Sequence, residues 1–165
     1  MIADVLLDTN VILDFALKRA EHYVPAKRIM WEVADDRLIA HISASQITDI
    51  YYFLAKKFSQ AESIRVISDL IGTVQVIGVD KNTIETAIAS GMTDFEDAVQ
   101  AAAAKDFDID IVITRDKTGF HHCGLQYLQE RGKMLNWTQI NNSPTKRQND
   151  AKSGAFRPFF CTRRW

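Results

Sequence analysis

Five aspartates stand where the chain leaves a strand expected from the sequence or lies in the first turns of an expected helix. They are Asp8, Asp49, Asp94, Asp97 and Asp116. In open parallel sheets, ligands bind in the crevice beyond the carboxyl ends of the strands, so acids at these places are expected to converge. Several carboxylates in one crevice raise each other's pKa unless a cation neutralises them. A divalent cation that prefers oxygen ligands is the ordinary partner of such a cluster.

Each acid taken alone has a simpler interpretation. A carboxylate at a strand end or in a first helical turn usually caps the helix, interacts with its dipole or is solvated. Asp94 and Asp97 are three residues apart and are predicted to share one helical face, whereas Glu96 is predicted to point elsewhere. The functional interpretation therefore depends on the acids as a group.

The elements that would position these acids alternate between strands and helices. Strands are predicted at about 5–7, 38–42, 74–79 and 111–114, with a possible fifth at 125–128. Helices are predicted at about 11–19, 24–36, 43–58, 59–72, 80–90 and 95–105. This order predicts an α/β domain of three layers, with a mostly parallel sheet of four or five strands covered by helices on both faces.

Polar residues predict where several of these helices begin. The predicted caps, in chain order, are Thr9 or Asn10, Ser43 or Ser45, Ser59 with Glu62 completing a capping box, and Asp80. Gly91 is predicted to close the helix that Asp80 begins.

The composition indicates one acidic globular domain followed by a basic tail. Residues 1–142 contain 14 Lys and Arg against 20 Asp and Glu, whereas residues 143–165 contain 6 against 1. The first segment is long and apolar enough for a complete core, and the second is polar, without periodicity, and predicted to be a disordered or appended tail. An acidic domain does not hold nucleic acid by bulk positive charge, so metal ions would have to help bind such a substrate.

Other classes of protein are disfavoured by the sequence. No apolar run approaches the roughly 18 residues that cross a bilayer, and the start of the chain lacks a basic signal-peptide region, so we expect a cytoplasmic protein. Cys123 and Cys161 lie far apart, which predicts neither a disulfide nor a thiolate zinc site. His121, His122 and Cys123 resemble a metal cluster but are predicted to lie in a surface loop, because adjacent side chains point in different directions and no distant pair of partner ligands is evident.

The motifs that contain the acids resemble, in order and spacing, those of PIN-domain nucleases over roughly residues 2–140. They are Leu6-Leu7-Asp8-Thr9-Asn10-Val11-Ile12, then Asp94-Phe95-Glu96-Asp97-Ala98-Val99-Gln100-Ala101-Ala102, then Ile111-Val112-Ile113-Thr114-Arg115-Asp116. Any one of them is weak support. Three in sequence, each in the expected strand or helix, make a strong match.

The resemblance implies a site for Mg²⁺ or Mn²⁺. Its core ligands would be Asp8, Asp97 and Asp116, with Asp94 as an additional or indirect acid. The family commonly has a Glu six residues after the serine that ends the second strand, and Ser43 places Asp49 at that position. The shorter side chain of aspartate favours contact with a metal through water.

Residues beside these acids are candidates for supporting roles. Thr9, Asn10 and Thr114 could orient the ligands by hydrogen bonds, or could equally be helix caps. Arg115 could contact a phosphate of the substrate or form a local ion pair with an acid.

The function implied by the resemblance is hydrolysis of RNA phosphodiester bonds, for which no side-chain nucleophile is required. Short family members are often toxins inhibited by a small antitoxin protein, and a homodimer is expected. The alternative is a non-catalytic protein-interaction or RNA-binding module with the same fold, against which the retained acids argue. A phosphotransferase using Asp8 as nucleophile fits less well, because Asn10 stands where such enzymes usually have a second acid.

Overall fold

The computed structural model describes residues 2–120 and 123–129, and in them five strands form one sheet whose neighbouring strands are all parallel. The strands are β1 (Ala3–Leu7), β2 (Leu38–Ser43), β3 (Gln75–Ile77), β4 (Ile111–Thr114) and β5 (Gln126–Gln129). Their order across the sheet is β3-β2-β1-β4-β5. The first strand of the chain therefore lies at the centre of the sheet.

Seven helices accompany the strands within the described residues. They are α1 (Thr9–Ala16), α2 (Tyr23–Ala34), α3 (Ala44–Ala55), α4 (Gln60–Ile71), α5 (Lys81–Ala89), α6 (Phe95–Asp106) and α7 (Lys117–Phe120). Six of them were predicted, and the four-residue α7 was not. No helix in residues 2–120 or 123–129 has the length and apolarity to span a membrane.

The two faces of the sheet are covered by different helices. Val5 and Leu7 of β1 pack in one core cluster with apolar residues of α1, α2, α3 and α4. Leu6 lies between them in sequence and packs in a second cluster with alanines of α6. Successive side chains of a strand point to opposite faces, so this division gives helix, sheet and helix layers. The predicted three-layer α/β domain is confirmed.

Most of the predicted helix starts are confirmed. Ser59 accepts a hydrogen bond from the backbone N–H of Glu62, and the Glu62 carboxylate accepts one from the backbone N–H of Ser59. Asp80 caps α5, and Ser43 rather than Ser45 is the residue that precedes α3. Gly91 has a φ of +70°, a conformation that glycine adopts without steric cost.

The predicted start of α1 is wrong. Asp8, and neither Thr9 nor Asn10, is the cap, because the chain turns into the helix directly at the end of β1 and Asp8 keeps an extended backbone. The helix also ends at Ala16 instead of residue 19, since Lys18 has a φ of +48°. The surface-loop prediction is wrong for Cys123, which is 2% exposed and packs in the core cluster that contains Phe120 and Leu125. His121, His122 and residues 130–165 lie outside the described residues, so the predictions that concern them stay predictions.

Candidate active site

Asp8 lies at the carboxyl end of the central strand and is only 2% exposed. Its Oδ2 atom accepts a hydrogen bond from the hydroxyl of Thr114 at 2.7 Å, and its Oδ1 atom accepts one from the backbone N–H of Asn10 at 3.3 Å. The parallel pairing of β1 with β4 brings Asp8 and Thr114 together. Burial raises the pKa of Asp8, although these two hydrogen bonds and the charge of Arg115 act in the opposite direction.

Asp97 lies half-buried in the first turn of α6. Burial is the largest cause that raises its pKa to about 7, and nearby negative charges add to the effect. Those charges belong to Asp8, Asp94, Asp116 and Glu96, in decreasing order of effect. A carboxyl group with this pKa is about half protonated at neutral pH when no cation is bound.

Gly119 of α7 lies directly against the carboxyl group of Asp97. A Cβ atom built at position 119 would be 1.8 Å from Oδ2 and 2.9 Å from Cγ of Asp97. Because both distances are shorter than real contacts of such atoms, any side chain at this position would displace the carboxyl group. The present position of the Asp97 carboxyl group therefore depends on glycine at position 119.

Asp116 follows β4 and is exposed. Its Oδ1 atom accepts hydrogen bonds of 2.8 Å from both the backbone N–H and the hydroxyl of Thr118. Those bonds are the main cause that lowers its pKa. The hydroxyl of Thr114 accepts from the Asp116 backbone N–H at 2.9 Å while it donates to Asp8. One hydroxyl group thus links these two acids, and Asp116 stays ionised.

Asp94 caps α6, since its Oδ1 atom accepts a hydrogen bond from the backbone N–H of Asp97 at 3.1 Å. Glu96, which was predicted to point elsewhere, is exposed but lies close enough to other acids for their charges to act on it. Desolvation raises the pKa of Glu96, and the charges of Asp49, Asp94 and Asp8 raise it further. Asp94 was predicted to lie on one helical face with Asp97, whereas it precedes α6 as its cap.

Asp49 lies half-buried on α3, where burial raises its pKa. Its charge acts on Glu96 but is not among the causes that shift the pKa of Asp8 or Asp97. Asp8, Asp97 and Asp116 therefore form one electrostatic group with Asp94 and Glu96. Asp49 joins that group through Glu96.

Two buried glutamines that were not predicted as site residues support the crevice. Gln46 accepts a hydrogen bond from the backbone N–H of Ser43 at 2.7 Å and donates to the Leu7 carbonyl at 2.9 Å and the Thr9 hydroxyl at 3.1 Å. Gln100 donates to the same hydroxyl at 3.4 Å. These bonds tie the end of β2 to the end of β1. The sequence feature that could have identified Gln46 is its position three residues after Ser43, which is the spacing of a capping box.

Asn10 and Asp14 hold two arginines beside the acids. Arg115 donates to Oδ1 of Asn10 at 3.1 Å, and Arg19 donates to Oδ1 of Asp14 at 3.0 Å. Asp14 is fully buried, and its Oδ2 atom forms an ion pair of 3.5 Å with Arg115. Arg115 also lowers the pKa of Asp8 and Asp116 by its charge.

The chemistry of the donors fits a hard divalent cation, because every candidate ligand is a carboxylate and their mutual repulsion raises several pKa values. Within the described part of the chain, no three His, Cys, Asp or Glu side chains are grouped closely enough to hold a metal ion as they stand. Asp94 and Asp116 are instead hydrogen-bonded to the first turns of α6 and α7. When no cation is bound, the carboxylates of the crevice repel each other, and this repulsion favours their separation.

Comparisons with known proteins agree with this architecture. The structure is similar to VapBC2 from Rickettsia felis bound to a promoter DNA fragment, with a TM-score of 0.61 and 12% identity, covering 76% of this chain and 98% of that one. For DNA-bound VapBC from Salmonella typhimurium, the TM-score is 0.58 at 16% identity, with coverage of 79% and 100%. For VapC20 of Mycobacterium tuberculosis, described as a sarcin-ricin loop cleaving toxin, it is 0.57 at 17% identity, with coverage of 68% and 90%.

At sequence identities of 12%, 16% and 17%, the similarity to these structures shows the fold alone. A comparison with curated proteins found no significant match in sequence. The family model of the PIN domain, however, matches residues 4–118, which is most of the chain and includes every acid of the crevice. The chain therefore belongs to the PIN-domain family.

Proposed function

We propose that this protein is a metal-dependent endoribonuclease that hydrolyses RNA phosphodiester bonds with Mg²⁺ or Mn²⁺. The observation that carries the proposal is the crowding of acids beyond the ends of β1 and β4, around a half-buried Asp97 whose pKa is raised to about 7. Such crowding opposes folding unless a cation relieves it, and strongly shifted acids in a cleft are typical of functional sites. Membership of the PIN-domain family supports the same conclusion.

In this proposal Asp8, Asp97 and Asp116 hold the ion. When bound, the ion supplies charge stabilisation at the phosphate and activation of water. Thr114 keeps the carboxylate of Asp8 oriented through its 2.7 Å hydrogen bond. The family commonly has a further acid after the second strand. We assign its role to Asp49 together with Glu96, because Glu96 has the longer side chain and the charges of Asp49, Asp94 and Asp8 act on it.

The biological role that we propose is the toxin of a toxin-antitoxin pair. Support comes from similar structures, which include VapC20 and a toxin-antitoxin complex from Klebsiella pneumoniae with a TM-score of 0.56 and 20% identity. The partner would be a small antitoxin protein, and a homodimer is the expected assembly. Growth arrest of a bacterial host on expression of the wild type, absent with Asp97→Asn, is the expected result. Equal growth with both would oppose the toxin role.

The nuclease proposal is tested by incubating purified protein with mixed RNAs in Mg²⁺, Mn²⁺ or EDTA and resolving the products on a denaturing gel. Asp8→Asn should lose at least about 100-fold in rate. It should keep its melting temperature, because asparagine also caps helices and can bond to Thr114. Asp35→Asn, at an exposed position after α2, is the matched control.

Two results would contradict the proposal. Equal cleavage in EDTA would exclude a metal-dependent reaction. RNA binding without cleavage in either metal would favour the non-catalytic module.

A further inference from the structure

The hydroxyl of Thr9 joins three parts of the chain that carry acids of the crevice. Thr9 follows Asp8 directly and begins α1. Its Oγ1 atom accepts a hydrogen bond of 3.1 Å from the side-chain amide of Gln46 on α3 and one of 3.4 Å from the side-chain amide of Gln100 on α6. Both glutamines and Thr9 are buried. One hydroxyl group therefore connects the end of the central strand to both helices.

Gln100 lies one helical turn after an acid of the crevice. It follows Asp97 by three residues on α6, and residues three apart on a helix are neighbours on one face. Its bond to Thr9 therefore connects the segment that carries Asp97 to the segment that carries Asp8. After burial, the charge of Asp8 is the largest cause that raises the pKa of Asp97, so the two acids lie close together.

The hydrogen bonding of Gln100 is poor for a buried side chain. The residue is 3% exposed, and within the described part of the chain its Oε1 atom has no hydrogen-bond partner. The bond that its amide donates to Thr9, at 3.4 Å, is longer than usual for an N–H donor. A buried polar atom without a partner costs free energy, and an apolar side chain of the same length would avoid that cost. The amide therefore serves the site and not the stability of the fold.

We propose that Gln100, acting through Thr9, is a positioning residue that sets the separation of Asp8 and Asp97 and thereby the size of the cation that the crevice accepts. Mg²⁺ binds oxygen ligands at about 2.0–2.1 Å, whereas Ca²⁺ binds them at about 2.3–2.6 Å in a more flexible geometry. Ligands held at a fixed separation therefore favour the smaller ion, and ligands that can move apart accept the larger one. This inference rests on the proposed function, since it concerns the cation of that site.

The test measures binding of Mn²⁺, Mg²⁺ and Ca²⁺ to the full chain by isothermal titration calorimetry in the absence of RNA. Gln100→Met replaces the amide by an apolar group of similar length. It should raise Kd for Mn²⁺ and Mg²⁺ by about 10-fold, as is usual for residues that orient ligands, and change Kd for Ca²⁺ by less than about 2-fold. Its melting temperature in EDTA should equal that of the wild type or exceed it by up to about 4 °C, because the unpartnered oxygen is removed.

Variants of Thr9 show whether Gln100 acts through this hydroxyl. Thr9→Val should weaken Mn²⁺ binding by the same factor, but with a lower melting temperature, because the amide of Gln46 also loses an acceptor. Adding Gln100→Met to Thr9→Val should cause no further loss of affinity, since both substitutions remove the same bond. Thr9→Ser keeps the hydroxyl and should bind Mn²⁺ as the wild type does. Gln60→Met, exposed at the start of α4, is the matched control.

The outcomes distinguish this inference from the proposed function. If Gln100→Met binds all three ions as the wild type does, or binds all three more weakly by the same factor, Gln100 does not select the cation and the inference is wrong. A lower melting temperature with unchanged affinities would assign Gln100 a structural role only. If Mn²⁺ binding depends on Gln100 as predicted but the wild type does not cleave RNA, the inference stands and the nuclease proposal fails. Absence of Mn²⁺ binding by the wild type contradicts both.

Discussion

At position 119, a single methyl group is a direct probe of the acid crevice. Gly119→Ala is expected to displace the carboxyl group of Asp97, since the new Cβ atom would lie 1.8 Å from Oδ2. A misplacement of this size should lower the rate of RNA cleavage by at least about 10-fold. The cost in stability should be small, because the atom that must move is the end of a side chain. Single-turnover rates and thermal melting measure the two effects.

Gly78→Ala is the matched control for this substitution, because no atom lies within 4 Å of a Cβ built there. It should keep the wild-type rate and melting temperature. A wild-type rate in Gly119→Ala would mean that the position of the Asp97 carboxyl group does not matter for the reaction.

The raised pKa of Asp97 predicts how the stability of the cation-free protein depends on pH. The folded protein holds this proton up to a pKa of about 7, whereas the unfolded chain releases it at its ordinary pKa of 3.8. Between those values the folded state binds more protons, so the free energy of unfolding falls as pH rises. The loss attributable to Asp97 is about 2 kcal/mol, half of what the full shift would give, because the group is partly open to solvent.

Urea denaturation in EDTA between pH 4.5 and 8 measures this effect. Asp97→Asn should remove most of the decline, so that the difference between variant and wild type grows with pH up to about 7. The lowered pKa of Asp80 acts in the opposite direction and at lower pH, and it is common to both proteins. Parallel profiles of the two proteins would show that Asp97 is not the group responsible.

Helices and strands that carry a capping pair or an apolar run in their own residues could be predicted from the sequence, whereas α7 could not. Ser59 with Glu62 marks the start of α4 because the two side chains satisfy each other's backbone N–H groups. The apolar run of β4 predicts a strand buried on both faces. The four residues of α7 are too few for any periodicity. Their start depends on Asp116 as a cap, and no helix was predicted after that residue.

The same contrast explains which parts of the candidate site could be predicted. The general rule for parallel sheets predicts that acids following β1 and β4 share one crevice, and the structure brings Asp8 and Asp116 together through Thr114. The roles of Gln46 and Gln100 could not be predicted in this way. A glutamine in a helix usually faces solvent, and only the packing of α3 and α6 onto the strand ends buries these two.

Gln46 connects elements, so its replacement should affect stability more than a surface change does. Gln46→Leu leaves the Leu7 carbonyl and the Ser43 backbone N–H without the bonds that they have now. Each unsatisfied buried group costs roughly 1–3 kcal/mol, and we expect a loss of about 2–3 kcal/mol in the free energy of unfolding. Urea denaturation measures it, with Gln60→Leu at an exposed helix start as control. A loss below about 0.5 kcal/mol in the free energy of unfolding would show that Gln46 does not stabilise the contact between the ends of β1 and β2.

At the scale of the whole molecule, binding of Mn²⁺ should stabilise the fold, because a ligand that binds only the folded state shifts the unfolding equilibrium. At 100 times its Kd the gain is about 2.7 kcal/mol, which corresponds to a rise of roughly 5–10 °C in Tm for a domain of this size. The double variant Asp97→Asn with Asp116→Asn should show no such rise. Differential scanning fluorimetry measures the shift, with NaCl at equal ionic strength as control. An equal rise in the double variant would place the ion elsewhere.

The central place of β1 in the sheet also bears on the protein while it is being made. Asp8 leaves the ribosome early, but the hydroxyl that holds its carboxylate belongs to a residue 106 positions later. Contacts between such distant parts of a chain form only after the intervening residues are available. The nascent chain therefore lacks an assembled crevice until Thr114 has been made, and under the proposed function its nuclease activity would appear only after that point in its own translation.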